Sequence, residues 1–226
     1  MYQKAIQVVR HSIFPIFLTK TENGKHILTA AGSGFFINDK GYFLSAHHVF
    51  HSNPDRTFMP VFLGNLPFQT TNKMVEIEEI YSDPSRDVFL GRVSSEFLTP
   101  VKMNFEPQNE GKSVVLSGYP MPIITVNPQH GGFELGNVRQ YWQPTIIIDQ
   151  FEKFAMNKAV PNVFMTQHAA LNGMSGAPTF DLDGTVIGMS IATSNRKLPQ
   201  SDGEMRVDNG IVVKLSSLRD VIDLAG

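Results

Sequence analysis

Apolar residues in this chain arrive in short runs, with Gly, Pro, Asn and Asp recurring between them. Short runs bounded by such residues read as strands, because helices need longer periodic stretches. The runs are Ala5–Val9, Ile13–Thr19, Gly34–Ile37, Tyr42–Ala46, Val75–Tyr81, Val88–Val93, Ser113–Leu116, Thr145–Ile148, Val163–Thr166, Pro178–Phe180, Val186–Ala192 and Ile211–Val213. Two tight turns, Asn38-Asp39-Lys40-Gly41 and Asp181-Leu182-Asp183-Gly184, each end in the glycine that a hairpin uses for left-handed backbone. One helix stands out at the C-terminal end. Ser217 is placed to cap it, Asp220 falls in its first turn, and Leu218, Val221, Ile222 and Leu224 recur at helical spacing. An all-β fold of barrels or a sandwich with one terminal helix follows.

A chain of 226 residues suffices for one large domain or two packed halves. The polar stretch PQNEGK (107–112) is the best midpoint, dividing the chain into 1–110 and 111–226. At 42% hydrophobic and 18% charged residues, the chain can fill a sizeable core. A formal charge of -2 with no basic stripe argues against a nucleic-acid partner. The longest apolar run near the start, Ile13–Leu18, carries Pro15 and is too short for a membrane span or a signal peptide. With zero cysteines, thiolate chemistry and disulfides are excluded, which fits a cytoplasmic compartment.

Three histidines crowd SAHHVFH (45–51). A metal site there needs His48 and His51 on one helix face, yet GYFLSA reads as a strand, and there is no HExxH. No metal is expected. In NGMSGAP (172–178), Ser175 lies between Gly173 and Gly176, a setting for a bent loop with an exposed hydroxyl and converging backbone N–H groups. A serine hydroxyl needs a base to become a nucleophile, and the base needs an orienting group. His48 ends an apolar run and can serve as base. Asp87 leads into the apolar run VFLGRV, where a carboxylate is costly unless it is paired.

His48, Asp87 and Ser175 occur in the order His…Asp…Ser, and here the chain resembles the chymotrypsin/trypsin-fold serine peptidases, especially the cysteine-free bacterial HtrA-like branch. The resemblance rests on GSGFFIN (32–38), LSAHHV (44–49), DVFLGRV (87–93), LSGYP (116–120) and TQHAALNGMSGAPTFDLDGTVIGM (166–189). It implies two six-stranded antiparallel barrels with the site in the cleft between them, and a serine endopeptidase that needs no cofactor. His48, which aligns with the histidine of the family's Thr-Ala-Ala-His pattern, becomes the base. Asp87 becomes its orienter, Ser175 the nucleophile, and the Gly173 and Ser175 amides the oxyanion hole. His47, on the opposite face if the strand continues, and His51 are left without assigned chemistry.

Met174 stands where digestive relatives carry the aspartate that receives a newly cut N-terminus, so that mode of activation is not expected. Ala177 replaces a glycine. By the family pattern Ala169 and Ala170 border the primary pocket, and neither is acidic. A small or medium apolar substrate side chain is therefore expected rather than Arg or Lys. Ser190, Thr193 and Ser194 lie on the strand that such enzymes pair with extended polypeptide substrate. His168 reads as structural and Trp142 as core. In the stretch 128–162, HGGFEL and IIIDQFEKFAMNKAVPNV are expected to pair as strands around a loop beside the site. A PDZ domain after the terminal helix is not expected. The chain is then expected to act alone or with a regulatory protein partner that lies on another chain or beyond this sequence. The competing expectation is a protease-fold module that binds peptides but cuts them weakly or not at all until a partner activates it.

Overall fold

The computed structural model describes the chain except residues 1, 23–24, 52–58, 65–72, 96–97, 121–123, 128–131, 136–137, 156–158 and 201–202. A helix, α1 (Tyr2–Val9), precedes the strands β1 (Ile13–Glu22), β2 (Lys25–Phe36) and β3 (Tyr42–Ser45). A short helix α2 (His47–His51) follows, then β4 (Met59–Gly64), β5 (Lys73–Asp83) and β6 (Val88–Val93). The six strands close a barrel in the order β1-β2-β3-β6-β5-β4. Phenylalanines fill it: Phe14 meets Phe36 at 4.6 Å and Phe43 at 5.0 Å between ring centroids. Gly91 leaves the space for this, since a Cβ there would come within 2.6 Å of the Phe43 and Phe89 rings.

The second half contains β7 (Lys102–Met103), β8 (Ser113–Gly118), β9 (Ile124–Asn127), β10 (Gly132–Leu135), β11 (Tyr141–Ala155) and β12 (Ala159–Thr166). It continues with β13 (Pro178–Phe180), β14 (Thr185–Gln200) and β15 (Gly203–Lys214). The order β13-β8-β11-β12-β15-β14 closes on itself because β13 also pairs with β14, giving the second six-stranded ring. β7 lies outside the ring, parallel to β14. A 3-10 turn (Leu215–Leu218) and α3 (Arg219–Asp223) end the chain.

The two ends of the chain lie across from the halves they belong to in sequence. Ala5 and Val8 of α1 pack on Gly184 in the turn of the second barrel. Asn38 in the first barrel donates from Nδ2 to the Ala225 carbonyl at 3.2 Å.

Several expectations are corrected. Ala5–Val9 lies in a helix, because Ala5 and Val9, four apart, bury on one face. His47–His51 is also helical. Ser217 does not cap α3. Its hydroxyl donates back to the Lys214 carbonyl at 2.8 Å, and no side chain caps the helix. The stretch 128–162 forms two separate pairings: β10 with β9, and β11 with β12. The segment HGGFEL therefore does not pair with the long strand that follows it; its first two residues lie outside the described ones. Trp142 packs edge-on against Phe180 at 6.0 Å, as a core residue should.

Candidate active site

Backbone geometry brings His48 and Asp87 together. α2 starts directly after β3, and the turn before β6 leaves Asp87 in the left-handed region with φ 53°. In that pose one carboxylate oxygen, Oδ1, accepts the His48 backbone N–H at 3.0 Å. The other, Oδ2, lies 2.7 Å from His48 Nδ1. The Asp87 carbonyl also accepts the His47 N–H at 3.1 Å. One bond thus orients the imidazole, and two more fix the backbone from which it projects. With Nδ1 facing a carboxylate, the proton of the neutral ring belongs on Nδ1, which leaves Nε2 as acceptor.

The loop 173–177 rises between β12 and β13, bent at two glycines with positive φ, Gly173 (95°) and Gly176 (83°). It is stitched to the first barrel through Ser33, a buried residue of β2. Ser33 N–H donates to the Ser175 carbonyl at 2.8 Å. Its hydroxyl donates to the Gly173 carbonyl at 2.7 Å and accepts the Tyr119 N–H at 3.0 Å. Its carbonyl accepts the Ser45 hydroxyl at 2.8 Å. A Cβ at Gly32 would lie 2.8 Å from the Ser175 carbonyl and 2.6 Å from Val49, the residue after His48. Gly32 thus leaves room for both the Ser175 backbone and Val49 of α2 against β2. No hydrogen bond joins its hydroxyl to His48 in this structure. Neither the Gly173 nor the Ser175 N–H has an acceptor among the described residues.

Met174 is fully buried in the second barrel with Leu116, Phe164 and Val212. Its sulfur accepts the Leu171 N–H at 3.3 Å, and its own N–H donates to the Leu171 carbonyl at 2.9 Å. An apolar anchor occupies this position instead of an ion pair. Gly118 makes room for it, since a Cβ there would come within 3.1 Å of Met174.

Ala169 and Ala170 lie half-buried beside this loop, and the Thr193 hydroxyl donates to the Ala170 carbonyl at 2.8 Å. Ser194 pairs with Asn209 of β15. Ser190 differs from expectation. It is fully buried, its hydroxyl meets Thr179 at 3.2 Å, and its N–H and carbonyl bond Ala177 and Gly176 of the loop. Its polar groups are spent within the fold, so an incoming chain could meet β14 only beyond it. His168 is structural: Nδ1 lies 3.1 Å from the Pro144 carbonyl. His47 stacks on His51 at 4.5 Å and contacts the Ser82 hydroxyl at 2.6 Å, while His51 pairs with Glu79 at 3.1 Å. No cluster of three potential ligands suited to a metal occurs among the described residues.

The family model of the trypsin-like peptidase domain matches residues 32–189, which span the Ser33 stitch, the His48–Asp87 pair and the serine loop. The chain belongs to this family. Solved peptidase structures share its fold. The HtrA-type protease AlgW with a decapeptide superposes with a TM-score of 0.74 at 14% identity, covering 99% of this chain and 66% of that one. The same protease with a tripeptide gives 0.70 at 17% identity, covering 99% and 62%. The active form of the Rv3671c protease from M. tuberculosis gives 0.68 at 20% identity, covering 98% and 84%. This chain thus spans about two thirds of the AlgW chain. No curated protein matches it by sequence. No helix among the described residues is long and apolar enough to cross a membrane.

Within this trypsin-like peptidase domain, sequence reasoning passed over Ser33, Ser45 and Tyr119. GSG and LSGYP were visible as motifs, but the partner of the Ser33 hydroxyl is 140 residues away. Tyr119 is held between the barrels, its hydroxyl donating to the Ile13 carbonyl at 3.2 Å. Burial pushes its phenol well above the usual range, although the charge of Arg10 pulls the other way.

Proposed function

We propose that this trypsin-like peptidase domain is a serine endopeptidase acting through His48, Asp87 and Ser175. The observation that carries the reading is the two-point grip of the Asp87 carboxylate on His48, at Nδ1 and at the backbone N–H, together with a serine loop bent at two glycines and tied to the same barrel through Ser33. His48 Nε2 takes the Ser175 proton as Oγ attacks the peptide carbonyl, then returns it to the leaving amine. Asp87 stabilises the imidazolium that forms. The N–H groups of Gly173 and Ser175, which have no acceptor among the described residues, receive the oxyanion. Catalytic hydrogen bonds often tighten only when substrate arrives, so the missing His48–Ser175 bond is compatible with this role.

The substrate is polypeptide, entering as an added strand along β14 at Thr193 and Ser194. Ala169 and Ala170 carry no charge, which favours a small or medium apolar side chain in the primary pocket. The buried Met174 anchor supports a loop that needs no new N-terminus for activation. The chain divides functionally at about residue 110, with base and acid before it and the nucleophile after it. The absence of cysteine fits a cytoplasmic site of action.

A fluorophosphonate probe tests the reading. Wild type should label, and Ser175→Ala and His48→Ala should not. His47→Ala should keep most of the labelling. Folded wild type that never labels, with or without added peptides, would sink the enzyme. Labelling that appears only with peptide or a protein partner would favour the resting, partner-activated module instead.

A further inference from the structure

Asp87 is held at φ 53°, a left-handed pose that few non-glycine residues adopt. The pose costs up to about 1–2 kcal/mol, least for asparagine and aspartate, and the bonds around the turn hold Asp87 there. The residue immediately before it is Arg86, whose guanidinium joins three parts of the molecule. Nε donates to Asp83 Oδ2 at 2.7 Å, within the turn itself. Nη1 donates to the Ser217 carbonyl at 3.0 Å and to Asp220 Oδ1 at 2.7 Å, both at the terminal helix. Nη2 reaches the Tyr81 hydroxyl on β5 at 3.4 Å. The remaining Asp83 oxygen is filled by the N–H and hydroxyl of Ser85, at 2.8 and 2.6 Å. Every residue from 83 to 87 except Pro84 is therefore tied to something.

We infer that Arg86 is a positioning residue for the proposed triad: it locks the turn that holds Asp87 against His48 and makes the terminal helix α3 part of that lock. The inference rests on the catalytic roles proposed above. The effect is mechanical rather than a matter of charge, because Asp83 and Asp220 already neutralise the guanidinium. A planar fork with five donors can reach acceptors on three elements at once, and a single ammonium cannot. The same bonds make α3 a handle. Whatever displaces the helix from Arg86 loosens the acid of the triad without touching the cleft.

The test separates kinact from KI for fluorophosphonate labelling. It also records the downfield proton resonance of the His48 Nδ1–H bonded to Asp87. In Arg86→Met, kinact should fall about tenfold to a hundredfold with KI unchanged, the scale of a small misplacement of reacting groups. The resonance should broaden or vanish while circular dichroism stays native. Arg86→Lys should not restore either readout. Asp220→Ala, at an exposed site that tolerates change, removes the acceptor on α3 and leaves the bond to the Ser217 carbonyl. It should lower kinact about two- to fivefold, the scale of an exposed ion pair. Folded Arg86→Met that keeps both kinact and the resonance would overturn the inference, as would a Lys variant restoring both. If Arg86→Met does not fold, Asp220→Ala with unchanged kinact and resonance overturns it. A wild type that shows the resonance but never labels sinks the peptidase reading instead, and the resonance still decides on Arg86.

Discussion

The two sides of the cleft are held by different physics. The serine side is neutral. Gly173–Ala177 is fixed by backbone and hydroxyl bonds to Ser33 and Ser190, by a buried methionine, and by glycines with no room for a side chain. The histidine side is held by carboxylates: Asp87 on the His48 ring, Asp83 and Asp220 on Arg86, Glu79 on the His51 ring. Packing tolerates changes of pH but not of volume. Ion pairs tolerate modest changes of volume but respond to pH and salt. One site is thus built from two parts with opposite sensitivities, and each can be disturbed while the other is left alone.

The largest effect should come from adding one carbon to the serine side. A Cβ at Gly176 would lie 2.3 Å from both the Ser33 carbonyl and the Ser45 hydroxyl and 2.8 Å from the Ala46 N, at φ +83°. Gly176→Ala forces backbone to move and should destabilise by about 4 kcal/mol or more, which denaturant unfolding will measure. Gly111 is the matched control. Its φ is +80°, but nothing lies within 4 Å of a Cβ there. Gly111→Ala should cost only the backbone term, about 1–2 kcal/mol. Equal costs at the two positions would mean that crowding does not hold the serine loop.

Ser33→Ala is next. It deletes the donor to the Gly173 carbonyl and the acceptor of the Tyr119 N–H in a fully buried position. Stranding two buried groups should cost about 2–3 kcal/mol. Labelling of Ser175 should slow as well, since the Gly173 carbonyl then loses its tie to the first barrel. The stability cost should be insensitive to pH between neutrality and mild acid, because the bonds lost involve no charged group.

Much of this division could be read before any coordinates. Val88–Val93 and Pro178–Phe180 form strands with the expected bounds, because turn residues close both ends of each run. The order of His48, Asp87 and Ser175 was legible from local motifs. What failed was of two kinds. Ala5–Val9 counts as a short apolar run, although Tyr2, Ala5, Ile6 and Val9 already carry helical spacing. α2 has five residues and buries only Val49, too little for any period to show. The second kind is long-range. Ser33 and Arg86 are small or polar residues in turns and strands, and nothing nearby in sequence announces partners 140 and 134 residues away. The bonds of Ser190 to Gly176 and Ala177 were hidden for the same reason, because strand register rather than residue type decides them.

The smallest effect isolates the charged side. Burial alone would raise the Asp83 carboxyl, but hydrogen bonds from the Ser85 hydroxyl, Arg86 and the Ser85 amide, with the Arg86 charge, outweigh it and bring it down to about 2. A carboxyl depressed in the folded state adds stability above its unfolded value of 3.8, and that stability is lost as pH falls through about 2. Asp83→Asn keeps an acceptor for Arg86 but removes the titration. The stability gap between wild type and Asp83→Asn should therefore be constant at neutral pH, begin to shrink below about pH 4, and vanish near the folded value. Asp220 is depressed too, chiefly by its hydrogen bond from Arg86, but its side chain is 68% exposed, so its gap should be smaller and fade with salt. A gap for Asp83→Asn that persists unchanged through this window would show that the turn is held by shape alone, and the contrast between the two sides of the cleft would fail at that point.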